Sequence, residues 1–173
     1  YPEAEQHWSF GPTTVPDGGT APLPGLKGDA LEVVATFSVP PGGLPANSSF
    51  GVALRVGGGN AAAAPAVGYR PSTRTIGVGK LQSASSAVLS WGSDLTPQPS
   101  GPGTVQLRIF LDRSVLEVYS GGAAFTARCN LAAGADAAAA TGVLLWAEGG
   151  ADARLLSLEA WGMKSMWGKV LHV

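Results

Sequence analysis

A chain of 173 residues that is 45% hydrophobic and 13% charged has enough apolar surface for one well-buried core, which excludes wholesale disorder. Its formal net charge is −1 with no basic stripe, so nucleic acid is a poor partner. The longest apolar stretch, Ala61 to Val67, contains Pro65 and is too short to span a bilayer, so no membrane partner is expected.

In chain order, residues 1–25 read either as linker or as a divergent first strand, ahead of a single module over 26–173. The start at Tyr1, with neither initiator Met nor signal peptide, predicts a processed mature chain or an excised domain. Leu31, Val33, Ala35, Phe37 and Val39 then alternate with Glu32, Val34, Thr36 and Ser38, the period-two pattern of a strand with one core face. Pro40-Pro41-Gly42-Gly43 ends that strand. Asn47-Ser48-Ser49 is an N-glycosylation sequon, which makes Asn47 the candidate glycan acceptor. Phe50, Val52, Leu54 and Val56 form the next alternating run, and Gly57-Gly58-Gly59 closes it.

Short runs follow around Tyr69, Ile76–Val78 and Ala87–Trp91. Further on, Leu107, Ile109 and Leu111 share one face, with Arg108 and Phe110 on the other. The polar step Asp112-Arg113-Ser114 reads as a kink before a second run from Val115. Gly121-Gly122 reads as a turn into a third run ending near Cys129. Val143–Trp146 and Arg154–Trp161 complete the set. No segment of helical length carries a 3.6-residue apolar period. The 25 Gly and 13 Pro punctuate many short strands. The expected fold is all-β, a single β-sandwich of two antiparallel sheets of jelly-roll or lectin-like type. Leu31, Val33, Phe37, Phe50, Val52, Leu54, Leu107, Ile109, Leu111 and Val118 are its expected core.

Chemistry is thinly represented. Asp112 and Glu117 are the one tempting carboxylate pair. On a continuous strand they face opposite sides, ~17 Å apart by rise, whereas glycosidic cleavage needs carboxyl groups ~5–5.5 Å or ~6.5–9.5 Å apart. A turn-capping Asp and a strand-face Glu paired with Arg108 or Arg128 is the simpler reading. His7 and His172 lie near opposite ends, and the lone Cys129 excludes an internal disulfide. No metal, cofactor or catalytic residue is expected. Sugar sites use exposed aromatic faces, for which Trp8, Tyr69, Trp91, Trp161 and Trp167 are candidates. Trp146, inside an apolar run, reads as core. Trp91, between Leu89-Ser90 and Gly92-Ser93-Asp94, is the preferred carbohydrate-binding residue. With little net charge to steer an ion, a neutral carbohydrate or a protein surface is the expected partner.

The stretch Leu107-Arg-Ile-Phe-Leu-Asp-Arg-Ser-Val-Leu-Glu-Val-Tyr119, followed by Thr126 and Arg128, resembles the C-terminal β-sandwich module of glycoside hydrolase family 32, the invertases, inulinases, levanases and fructan exohydrolases. Ala30–Phe37, Phe50–Val56 and Gly68–Gly79 are similar to further strands of that module. Leu158-Glu-Ala-Trp-Gly-Met-Lys-Ser-Met-Trp167 resembles its closing segment. The resemblance covers roughly residues 26 to 167. It implies a β-sandwich that accompanies a separate catalytic propeller. The family's catalytic boxes, of the Trp-Met-Asn-Asp-Pro-Asn-Gly, Arg-Asp-Pro and Glu-Cys types, do not occur in this sequence. The resemblance therefore implies a non-catalytic accessory module that stabilises the propeller and contributes to carbohydrate binding or self-association. Its expected setting is extracellular or vacuolar. A stand-alone secreted lectin-like or interaction protein is the alternative.

Overall fold

The computed structural model describes residues 6–57, 63–83, 86–91, 103–128 and 136–164. Thirteen strands run in chain order: β1 (His7–Phe10), β2 (Thr13–Val15), β3 (Gly19–Lys27), β4 (Ala30–Ser38), β5 (Ser49–Val56), β6 (Pro65–Arg70), β7 (Thr75–Ser83), β8 (Ser86–Trp91), β9 (Thr104–Asp112), β10 (Val115–Ser120), β11 (Ala123–Arg128), β12 (Gly142–Glu148) and β13 (Ala153–Gly162). All pairings between them are antiparallel.

A seven-stranded sheet has the order β1-β13-β4-β9-β10-β11, with β2 also on β13. A six-stranded sheet has the order β3-β12-β5-β6-β7-β8. The two sheets face each other, as the alternation predicts. Each of the ten expected core residues is at most 2% exposed. The burial on β9 alternates residue by residue, with Val105, Leu107, Ile109 and Leu111 inward. Burying one apolar face on each strand fixes register, because a one-residue slip would turn that face to water.

Residues 7–27 are woven into both sheets. His7 to Phe10 pair with Trp161 to Leu158, and Gly19 to Lys27 pair with β12. Val15, Leu23 and Leu26 are buried in the common core.

One expectation is corrected. The Asp112-Arg113-Ser114 step is a hairpin turn rather than a kink, for Asp112 is paired with Val115 and Leu111 with Leu116. Arg113 takes a left-handed backbone (φ 54°), which lets the chain reverse within two residues, and its N–H donates to the Asp29 carbonyl at 2.6 Å. Trp146 is core, as expected, at 2% exposed, but in a cluster separate from the one between the sheets. It lies on the outer face of the six-stranded sheet, in a second apolar cluster with Ala53, Ala66 and Leu81, against which Leu89 and Leu144 pack. Its indole N–H donates to the Val67 carbonyl at 3.2 Å. From β8, the Ala87 N–H donates to the Glu148 carboxylate at 2.9 Å. On the outer face of the six-stranded sheet, Trp146 is thus packed by Ala87 and Leu89 of the sheet's own edge strand.

Candidate functional site

The outer face of the seven-stranded sheet is built differently. Alternation that sends Leu31, Val33, Leu107 and Ile109 inward sends Glu32, Arg108, Phe110, Glu117 and Tyr119 outward. Register then aligns them. Trp161 is opposite Glu32, Glu32 opposite Phe110, and Phe110 opposite Glu117, with Arg108 opposite Tyr119 in the neighbouring row. Glu32 accepts from Arg108 Nε at 2.7 Å, and the Glu32 side chain is 3% exposed against 43% for Arg108. A carboxylate this buried on an outward face is stable only when paired. The Arg108 guanidinium lies 5.0 Å from the centre of the Phe110 ring. Tyr119 meets Phe110 edge to face at 5.9 Å and donates to Glu117 Oε2 at 3.1 Å. That hydrogen bond, with the Glu117 charge behind it, holds the Tyr119 phenol above its ordinary pKa. Tyr119 is 41% exposed.

At the β1 edge of the same face, Glu159 accepts from Ser9 Oγ and from His7 Nε2, each at 2.6 Å, and the His7 ring stacks on Trp161 at 5.3 Å. The Ser9 hydrogen bond, helped by His7, lowers the Glu159 pKa. Serine, histidine and glutamate meet here, but both donors serve the carboxylate. A nucleophile would need its hydroxyl on the imidazole.

Asp112 and Glu117 are brought to one face rather than to opposite faces, because the hairpin folds β10 back along β9. They are diagonal neighbours, a relation that spaces backbones by about 7–8 Å. They share a shallow cavity of ≈ 280 Å³ with Phe110, Val115, Met163 and Lys164. Arg108 pairs with Glu32, and the hydrogen bond described for Glu117 comes from Tyr119, so the expected Arg108–Glu117 pair is replaced.

Trp91 ends β8 opposite Gly77; its side chain lies outside the described residues, as do Cys129, Trp167 and His172. Tyr69 is 2% exposed and cannot offer a ring face to a sugar. Asn47 is exposed in the turn before β5. Glu32 had no signal in the sequence, where it reads as an ordinary solvent-side residue. Only the β4–β9 register sets it beside Arg108 and Phe110. Among the described residues, no three His, Cys, Asp or Glu side chains gather closely enough to hold a metal ion.

The sequence pattern described as "Glycosyl hydrolases family 32 C terminal" matches residues 3–162. The chain belongs to that family. Solved structures carry the same fold. Exo-inulinase from Aspergillus awamori superposes with a TM-score of 0.65 at 22% identity, over 95% of this chain and 30% of its own. Beta-fructofuranosidase from Aspergillus kawachii gives 0.66 at 19% identity, over 90% and 27%. Fructan 1-exohydrolase IIa from Cichorium intybus gives 0.66 at 13% identity, over 95% and 36%. This family 32 C-terminal module thus spans about a third of the length of the solved proteins it matches. No curated protein sequence matches it.

Proposed function

We propose that the chain is the non-catalytic β-sandwich of a fructan- or sucrose-hydrolysing enzyme, and that the outer face of its seven-stranded sheet seats the catalytic domain. The observation that carries this reading is the asymmetry of the two outer faces. On one, Trp146 is packed by Ala87 and Leu89 of the edge strand, and the other holds an ion pair between Phe110 and Trp161. A buried Glu32 carboxylate paired with the half-exposed Arg108 and flanked by aromatic rings suits a surface that is partly desolvated by a neighbour. The catalytic strings of the family are missing from the sequence, so the chemistry belongs to that neighbour. Its role is to stabilise the catalytic domain and border its substrate cleft. Trp91 is the residue proposed to stack on sugar, and exposed Asn47 the glycan acceptor of a secreted or vacuolar protein.

The parent transcript tests this first. A propeller-coding stretch upstream of Tyr1 supports it, and a signal peptide directly before Tyr1 points to a stand-alone protein. In the full-length enzyme, Arg108→Ala with Tyr119→Ala is expected to lower the melting temperature and let the two parts unfold separately in calorimetry. An unchanged single transition would overturn the docking face.

A further inference from the structure

The edge of a sheet is a row of unpaired N–H and C=O groups, ready to pair with another chain unless something blunts it. In this sandwich the seven-stranded sheet ends at β11 on one side and at β1 and β2, end to end along β13, on the other. The six-stranded sheet ends at β3 and β8. Three of these edges are guarded. Strands β1 and β2 are only four and three residues long. Strand β3 carries Pro22 and Pro24, which have no N–H to offer, and Gly25 at φ 81°. On β8 the Ala87 N–H is already taken by the Glu148 carboxylate at 2.9 Å.

Strand β11 has none of these devices. Ala123–Arg128 contains neither Pro nor Gly, and its single charge, Arg128, is exposed rather than turned inward. On its inner face Phe125 and Ala127 pack against the margin of the core and stay half-buried, and no described strand lies beyond them. Arg128 makes no hydrogen bond or ion pair with a described residue, although it was expected to pair with Glu117.

The hairpin decides which backbone groups face the open side. Gly121 and Gly122 both have positive φ, 54° and 91°, the backbone of a two-residue type I′ turn. The residues flanking such a turn, here Ser120 and Ala123, exchange both of their hydrogen bonds. Alternation from there ties Ala123, Phe125 and Ala127 to β10. It turns the N–H and C=O groups of Ala124, Thr126 and Arg128 outward.

These outward groups are complementary to themselves. A two-fold axis through Thr126 sets Thr126 opposite its own copy, a favourable cross-strand pair. It sets Ala124 opposite Arg128 of the second copy, small against long, and the guanidinium then reaches over the Ala124 methyl toward Tyr119. Tyr119 is opposite Ala124 on β10 and is the exposed large hydrophobic residue of the described chain, at 41%. A cation over its ring is a favourable contact. On the inner face the same register sets half-buried Phe125 against Ala127 of the second copy, large against small. The two Arg128 side chains fall on opposite sides of the axis, so like charges do not meet.

We propose that β11 is a self-association edge: two copies of this chain pair antiparallel through Ala124–Arg128 and continue the seven-stranded sheet from one molecule into the next. The occupant is a second copy because the pattern small–large–Thr–small–long complements itself under a two-fold axis, as an isologous contact requires. Pairing is lateral, so the outer face of the sheet stays free for a catalytic domain, and the proposal does not depend on that reading. Five residues from each copy make an interface well below the ~1,600 Å² of a standard one, so a dissociation constant on the order of 100 μM is expected.

The test is sedimentation equilibrium of the chain from about 1 μM to about 1 mM, a range that brackets that constant, together with amide hydrogen exchange at both ends of the range. Average mass is expected to rise from that of one chain toward that of two. Protection gained with concentration is expected at Ala124, Thr126 and Arg128, while Phe125 and Ala127 are already protected by β10. Thr126→Pro removes the central outward N–H, which the single chain does not use, and should weaken the dimer at least about tenfold. Ala124→Glu sets a carboxylate opposite Arg128 of the second copy, twice per dimer, and should tighten it severalfold. If Thr126→Pro loses its dispersed spectrum, Ala124→Glu decides. A chain that stays monomeric at the highest concentration would overturn the proposal. So would a dimer that Thr126→Pro leaves intact, or one that Ala124→Glu fails to tighten.

Discussion

Phe37 has none of its surface exposed, and its ring is 4.9 Å from that of Phe50. Truncation there removes aromatic area and leaves a cavity that a cross-braced sandwich cannot collapse. Phe37→Ala should destabilise the chain by ~3–5 kcal/mol in denaturant unfolding; a loss under ~1 kcal/mol would mean the core can refill the space. Glu159 supplies a residue-scale pH dependence. Its folded pKa is lowered, first by the Ser9 hydrogen bond and then by His7, from an ordinary value of 4.5. A depressed carboxylate contributes stability above its unfolded pKa and loses it as pH falls through the folded value. Wild-type melting temperature should therefore fall more steeply than that of Glu159→Gln as the pH drops below 4.5. Parallel curves would remove Glu159 from the acid response. The side chain is exposed, so solvent screening keeps the effect small. Phe37 was legible from its place in an alternating run. The Glu159 cluster was not, because His7 and Ser9 are 152 and 150 residues away along the chain.

At the scale of elements, the six-stranded sheet carries a feature that alternation alone does not announce. Gly51, Gly68 and Gly77 are aligned across β5, β6 and β7, and Trp146 of β12 lies opposite Gly51. A Cβ built on Gly68 would come within 2.5 Å of Leu89 Cδ1 and 2.7 Å of Trp146 Cζ2. The glycine is there because the indole needs a flat bed. Gly68→Ala should lift the ring, lower stability by ~1–3 kcal/mol, and shift tryptophan emission to the red as Trp146 meets water. Unchanged emission and stability would show that Leu89 and Trp146 simply move aside. Trp146 was legible as buried, since it sits in an apolar run. Its side of the sheet was not, because Val143, Leu145 and Ala147 claim the inner face and leave Trp146 outward. The β9–β10 turn was misread for a comparable reason. Neither Asp112-Arg113 nor Arg113-Ser114 carries the Gly or Asn that marks a two-residue hairpin, and Arg113 occupies the left-handed position in their stead.

The whole molecule is closed by its ends. Strands β1 and β2 pair with β13, and β3 pairs with β12. A chain starting at Gly28 would lose Val15, Leu23 and Leu26 from the core and bare the edges of both sheets. It should lose its cooperative unfolding transition and aggregate, as unpaired edges do; a truncated chain with an intact, sharp transition would show the first three strands to be dispensable. The intact chain should release no fructose from sucrose, inulin or levan. Hydrolysis that disappears in Asp112→Asn or Glu117→Gln would instead establish the diagonal pair on β9 and β10 as catalytic.

Strand-by-strand amphipathicity is local information, and it was enough to determine an all-β sandwich, its core residues and, through the resemblance carried by Leu107–Tyr119, its family. What lay beyond it was everything set by register between strands distant in sequence. Glu32 and Arg108 become an ion pair only when β4 lies beside β9. Asp112 and Glu117 share a face only because the chain reverses between them. A period-two pattern says which side of a strand is wet, while the identity of the neighbours across the sheet follows from the packing of the whole chain.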